Sequence, residues 1–213
     1  MKYYVIILLA LNAVTCIGCQ YPDAGKVVPV PSAKARLELD RAKLEATRCV
    51  AYDASYRKLA YPGGDVPENV GACTDVVIRS LRAAGTDLQR AIHEDMKARP
   101  GRYPKYADGN RTDPNIDHRR VPNQIAYFKH TAQELPTDTS HKSRASWQPG
   151  DLVFWKLSIS NKDHVGIISD KIGRSGMPMV IHNLAHAVEE DCLTSWRIQA
   201  HFRPFPTRDA AKQ

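Results

Sequence analysis

The chain has 213 residues, 43% of them hydrophobic and 25% charged, with 30 Lys and Arg against 23 Asp and Glu for a formal net charge of +7. This composition excludes a disordered or collagen-like polymer, and the length suits one domain with a real core better than two. The basic residues are spread among acidic ones, with no Lys/Arg block interleaved with aromatics, so nucleic acid is not an expected partner; attraction to an anionic envelope polymer and a plain solvated surface explain the charge equally well.

Met1-Lys2 makes a short positive start, and residues 3–14 are apolar except for Asn12. That is the pattern of an export signal, placed at residues 1–18. A spanning helix wants about 20 apolar residues, and this run meets Gln20 and Pro22 too soon. Gly18-Cys19 resembles the lipobox of bacterial lipoproteins, which would tether the mature chain to a membrane through a lipidated Cys19. Cys16 stands where that motif usually has Leu, so ordinary cleavage is the equal alternative. Either route predicts an exported chain: periplasmic, held at the outer membrane, or secreted. Cleavage would remove one charge, Lys2, and leave the remainder at +6.

Residues 19–32, with Pro22, Pro29 and Pro31, read as a flexible linker, and the folded domain is expected over 33–207, with a short tail at 208–213. From Ser32 the pattern is helical. Leu37, Leu44 and Ala51 recur on one face, and Lys34 with Glu38, Arg36 with Asp40 and Arg41 with Glu45 form i,i+4 pairs. Tyr61-Pro62-Gly63-Gly64-Asp65 stops that helix. A second begins close to Cys73, buries Val77, Leu81 and Ala84, and ends at Gly85. A third starts at Thr86, with Gln89 completing a capping box, and stops at Pro100-Gly101. Residues 100–122 hold four prolines and two glycines, and so long an irregular segment inside a domain is often functional. Asn123 to Ala132 gives a fourth helix, with Ile125 and Phe128 on its apolar side.

Beyond Trp147 the pattern changes to strands: 152–155, 165–168, 179–182 and 196–202 are short apolar or alternating runs between turn residues. In the last, Trp196, Ile198, Ala200 and Phe202 are expected on one face. Helices first and strands second predict an α+β domain with a largely antiparallel sheet.

Among Cys16, Cys19, Cys49, Cys73 and Cys192, the domain keeps three thiols, and an odd number cannot all pair in an oxidising compartment. Cys73 follows Val70-Gly71-Ala72 at a helix start, where free N–H groups and the helix dipole favour a thiolate and where the Cys73 N–H could face an oxyanion. A buried thiol or half of a disulfide is the competing reading. If Cys73 stays reduced, Cys49 with Cys192 is the pairing that leaves it so. His164 opens one strand and His182 lies late in the next, so antiparallel pairing can join them. A nucleophilic Cys needs an imidazole to take its proton and a third polar group to hold that ring.

Gly150-Asp151-Leu152-Val153-Phe154 and His164-Val165-Gly166-Ile167, downstream of a helix-N-terminal Cys, resemble the NlpC-type cysteine peptidases of the papain-like superfamily. A closer resemblance, from about Tyr61 to Pro204, is to the bacterial YijF-like family of unknown function. It runs through Tyr61-Pro62-Gly63-Gly64-Asp65-Val66-Pro67, Cys73-Thr74-Asp75-Val76-Val77-Ile78-Arg79, His93-Glu94-Asp95-Met96, Asn115-Ile116-Asp117-His118-Arg119-Arg120-Val121-Pro122 and His182-Asn183. The resemblance implies a papain-like NlpC-type core with Cys73 as nucleophile, His164 as general base and His182 as orienting residue, needing no cofactor and no metal. It also implies peptidoglycan stem peptide as substrate. The NlpC motif has an acidic residue before its cysteine, where this chain has Ala72, so the particular amide is left open. A restraining or immunity protein would be a further partner.

Asp75, His118, Arg119 and Arg120 are candidate substrate contacts, since a guanidinium fork grips carboxylates bidentately; an internal network fastening the long loop is the equal alternative. His93-Glu94-Asp95 reads more readily as a helix cap or solvated cluster than as a site. His182 and His186 have i,i+4 spacing, but Asn183 replaces the Glu of a zinc-binding His-Glu-x-x-His motif, and the local pattern is a strand end. Trp147, Trp155 and Trp196 read as core or cleft wall rather than a sugar platform. Two rival functions remain: a non-catalytic envelope-binding module of the same fold, and a zinc amidase.

Overall fold

The structure is a computed structural model that describes residues 26–106, 111–140 and 142–206. The expected export signal at 1–18, the lipobox Cys19, the first part of the linker and the tail at 208–213 lie outside the described residues. Among the described residues no helix is long and apolar enough to cross a membrane.

Ser32 caps α1 (Ala33–Thr47) by accepting the Ala35 N–H at 3.1 Å. This helix is shorter than its pattern predicts. Cys49, in the left-handed region at φ 48°, turns the chain out of it, and Val50 leads into β1 (Ala51–Tyr52), which pairs in parallel with β2 (Val70–Gly71). The buried face also differs from expectation. Ala35, Leu39, Ala42 and Ala46 face the core with Glu38 and Glu45, while Leu37 and Leu44 are exposed. Glu45 explains part of this: it pairs with Arg41 on its own helix and with the buried Arg79 at 2.9 Å, so a carboxylate sits where periodicity would put a solvated one. Residues 26–28, read as flexible linker, are also tied down, with Val28 N–H on the Asp170 carbonyl at 2.7 Å.

The helix α2 (Cys73–Ala83) is buried along nearly its whole length and ends at Gly85, whose φ of 90° suits a residue without Cβ. In α3 (Leu88–Ala98) the cap is Asp87, one residue after the expected Thr86. Gln89 ties loops together instead: its side chain accepts the Gly64 N–H and donates to the Ala60 and Pro114 carbonyls. A 3-10 turn at Asp117–Arg119 leads into α4 (Val121–Thr131).

The strands β3 (Gln133–Glu134), β4 (Leu152–Lys156), β5 (Asp163–Ile172), β6 (Pro178–Asn183), β7 (Ala187–Glu190) and β8 (Arg197–Arg203) form one sheet in the order β3-β8-β4-β5-β6-β7, antiparallel at every pairing. The domain is α+β, as the order of patterns predicts. One face of the sheet, with Leu152, Phe154, Val165, Ile167 and Ile181, packs against the helices. The other face, with Val153, Trp155, Ile168 and Val180, is covered by Trp147, Leu193 and other non-strand residues.

β8 departs from simple alternation. Phe154 pairs with Ala200 but Trp155 pairs with Ile198, so Gln199 is an extra residue in a bulge. Trp196 and Ile198 therefore pack on the face opposite Ala200 and Phe202, which corrects the single apolar face expected for this strand.

Close approach of β5 to β6 depends on Gly166, where an added Cβ would lie 2.6 Å from Val180 Cγ1 and 3.1 Å from the Ile181 carbonyl oxygen. Gly166→Ala should cost roughly 1–3 kcal/mol by overpacking. Thermal unfolding would show it as a Tm lower by several degrees, and an unchanged Tm would contradict this packing.

Candidate active site

Cys73 is the first residue of α2 and is 6% exposed. Its helix start is held from both sides of Asp75. That carboxylate accepts the Ala72 N–H at 2.6 Å, the half of a capping box that needs no side chain on the cap residue. It also takes a bidentate pair from Arg119, with Nε to Oδ1 at 2.9 Å and Nη2 to Oδ2 at 2.8 Å. Arg119 gives its other donors to the carbonyls of Ser55 at 2.8 Å and Asp53 at 3.1 Å, and Thr74 Oγ1 donates to the Arg119 carbonyl.

The expected substrate contacts are therefore corrected for Asp75 and Arg119: each is almost fully buried and bonded to the other, so the internal network is the reading the fold adopts. His118 is 1% exposed, and burial holds its imidazole down to about 4. Arg120 stands over the Tyr106 ring at 4.1 Å.

At the same end of the sheet, β5 and β6 place two imidazoles edge to face, with His164 Nε2 2.9 Å from His182 Nδ1. His182 Nε2 lies 2.8 Å from Glu190 Oε1 on β7. The direction of this relay follows from its last member. A carboxylate only accepts, so a neutral His182 donates from Nε2 and accepts at Nδ1; His164 then donates from Nε2. Nδ1 is left as the basic nitrogen of His164. The His182 hydrogen bond holds the Glu190 carboxyl below its ordinary value. Trp155, fully buried, and Trp196, half-buried, flank both rings at 5.8–6.2 Å between centroids, and both pack in the core on this face of the sheet.

Cys73 is linked to this relay through the residue next to His164. The Val165 N–H hydrogen-bonds the thiol and, with the N–H groups of Thr74 and Cys73, favours the thiolate. Burial outweighs them and pushes the Cys73 thiol up to about 12. Burial, and next to it the positive charge His182 would carry once protonated, hold His164 down to about 3. The helix start thus does not deliver the preformed thiolate expected of it, because desolvation disfavours both ions of a thiolate–imidazolium pair.

Two residues of this site escaped the sequence reading. Tyr52 on β1 lies near Cys73, Arg119 and Asp75; burial, and then the Cys73 charge, raise its phenol. It falls where the pattern predicts helix, so nothing marked it. Glu190 lies on a strand too short to stand out. Among the described residues no disulfide joins Cys49, Cys73 and Cys192 to one another, which differs from the pairing expected of the first with the last. His186 is exposed in the turn after β6, away from the helical spacing a zinc pair would need. His93 faces Asp117 and Asp95 binds Arg99 and Tyr103, so that cluster fastens α3.

Two outcomes follow. Arg119→Met, which leaves Asp75 buried without its partner, should cost roughly 3–5 kcal/mol of stability; denaturant unfolding with a wild-type midpoint would refute the network. His118 and His164 stay neutral in the fold far below the 6.5 of free histidine. The unfolded chain therefore binds more protons between about pH 6.5 and 4, and stability must fall on acidification through that window. His118→Gln should flatten that slope, and an unaltered slope would show that His118 is not held neutral.

Residues 39–204 match a family described as a domain of unknown function, DUF1287. The chain is 41% identical over 207 residues to the uncharacterized protein YijF of Escherichia coli K12, covering 96% of this chain and 99% of that one. A solved structure described as similar to a lipoprotein of the NLP/P60 family, from Staphylococcus aureus, aligns at 13% identity with a TM-score of 0.43; the match takes in 85% of this chain, which spans 44% of that one. With the family match covering most of its length and YijF aligned nearly end to end, this chain belongs to the DUF1287 family.

Proposed function

We infer that the chain is a thiol-dependent hydrolase that cuts an amide in or at the stem peptide of peptidoglycan. The observation that carries this reading is the relay from Glu190 through His182 to His164, together with the bond by which Val165, the residue after His164, meets the helix-N-terminal Cys73. In this reading Cys73 Sγ attacks the amide carbon while His164 Nδ1 takes the thiol proton. Since thiol and imidazole are both neutral at rest, the proton moves during attack rather than before it. The Cys73 N–H and the Tyr52 hydroxyl would face the oxyanion. His164 returns the proton to the departing amine as the C–N bond breaks; it then deprotonates a water that opens the thioester, releasing the acid and restoring the thiol.

The substrate class is supported by the export pattern of residues 1–18, the resemblance to NlpC-type peptidases and the basic charge, which suits a carboxylate-bearing polymer. Glycan strands should stay uncut, since this reading gives bond cleavage to a thiol and an imidazole and not to the two carboxyl groups that glycosidases need. Ala72 in place of an acidic residue leaves the particular bond open.

The test is digestion of purified peptidoglycan by reduced residues 20–213, read by mass analysis of the fragments. New amines without new reducing sugar ends are expected. Cys73→Ser and His164→Ala should each lose about 10²–10⁴-fold, and His182→Ala less, because an orienting residue transfers no proton. Wild-type turnover in Cys73→Ser would end the thiol mechanism. New reducing ends alone, or no change in the wall material, would reject the substrate.

A further inference from the structure

Behind His182 stands a third group that the relay does not use. The donor atoms of His182, Glu190 and Cys192 all lie within 4.8 Å of one another. His182 and Cys192 are buried, whereas the Glu190 side chain is 33% exposed and opens the cluster to solvent. A β-turn-linked pair of strands explains the convergence. In the β6–β7 register His182 pairs with Val188, so Glu190, two residues on, shares its face, and Cys192 follows directly beyond the strand end.

The chemistry of this donor set is specific. Imidazole, carboxylate and thiolate together suit a borderline-soft divalent cation and disfavour calcium or magnesium, which take oxygen ligands. Tetrahedral ligation at bond lengths near 2.0–2.3 Å requires donors about 3.4–3.7 Å apart. The cluster meets that after a shift of about an ångström, and the partly exposed Glu190 is free to make it.

We propose that His182, Glu190 and Cys192 form a zinc site that switches off the base of this thiol hydrolase by reversing the tautomers of His164 and His182. Nε2 of His182 faces Glu190 and is the nitrogen that zinc would take, with water as fourth ligand. On binding, Zn–Sγ, Zn–Nε2 and Zn–O bonds form, and the Cys192 thiol releases one proton to solvent. His182 stays neutral, so its single proton must sit on Nδ1. Its Nδ1 then donates to His164 Nε2, where before it accepted, and the single proton of His164 moves to Nδ1. The nitrogen that should receive the Cys73 proton now carries one. The metal thus acts two residues away from the nucleophile without touching it, and as an inhibitor rather than a cofactor.

The switching half rests on the hydrolase reading, while binding and tautomer exchange do not. The test is therefore made on the reduced chain without substrate. Zinc competed against a chromophoric chelator should bind at one ion per chain, and Cys73→Ser should bind it equally. Cys192→Ala should weaken it at least about tenfold, with Cys192→Ser as a second variant of nearly wild-type size. Nitrogen-15 NMR of the histidine rings should show His164 carrying its proton on Nε2 before zinc and on Nδ1 after one equivalent. Absence of saturable binding, equal affinity in both Cys192 variants, loss of binding in Cys73→Ser, or an unchanged His164 tautomer in the zinc form would each overturn the proposal. If the tautomer switches but wall material is never cut, the zinc site stands and the hydrolase reading falls; if the wild type cuts and zinc leaves turnover unchanged, the inhibitory switch alone falls.

Discussion

The Asp75–Arg119 pair organises the functional end of the molecule. One carboxylate, with 3% of its side chain exposed, closes the first turn of α2 on the Ala72 N–H and holds a guanidinium whose remaining donors fasten the carbonyls of Asp53 and Ser55. Three segments far apart in sequence thereby meet: the helix start that carries Cys73, the strand that carries Tyr52, and the irregular loop of residues 111–120. A buried charge is tolerable only with its partner and its hydrogen bonds in place. The geometry around the thiol is consequently all-or-none.

A second buried guanidinium does the same for the approach to that helix. Arg79, on α2, binds Asp65 and Glu45 and donates to the carbonyls of Val66, Pro67 and Val70. The loop leading from the first helix to Cys73 is thus held by charge-assisted hydrogen bonds where it has little regular structure of its own. Asn183 adds a link from the sheet, donating to the Val50 and Gly71 carbonyls at 3.0 and 2.9 Å, immediately after His182. Helix start and histidine strands are therefore registered against each other by the Asn183 side chain as well as by Cys73 and the two histidines.

Desolvation decides how such a site would work. Trp155 and Trp196 pack against His164 and His182, and burial makes the imidazolium of His164 costly, as burial among the helices does the Cys73 thiolate. In the proposed reaction the neutral pair would depend on the tautomer relay to leave the His164 Nδ1 lone pair available as base. Control of proton position, more than a preformed charge, is what Glu190 contributes.

The sequence by itself determined the α+β order, the start of α2 at Cys73, its end at Gly85, and the pairing of two histidines on neighbouring strands, because hydrophobic period, turn residues and strand alternation are local properties. It did not determine the roles of charged residues. Glu38, Glu45, Arg79 and Arg119 all carry the surface signature of charge, yet each is buried. Each of Glu45, Arg79 and Arg119 has a compensating partner 34 or 44 residues away. The bulge at Gln199, which reverses the faces of β8, also depends on the register of a partner strand. Tyr52 and Glu190 enter the site through short strands whose existence depends on what they pair with. Only the tertiary structure could decide these points, since burial, register and ion pairing are relations between distant segments that no local window contains.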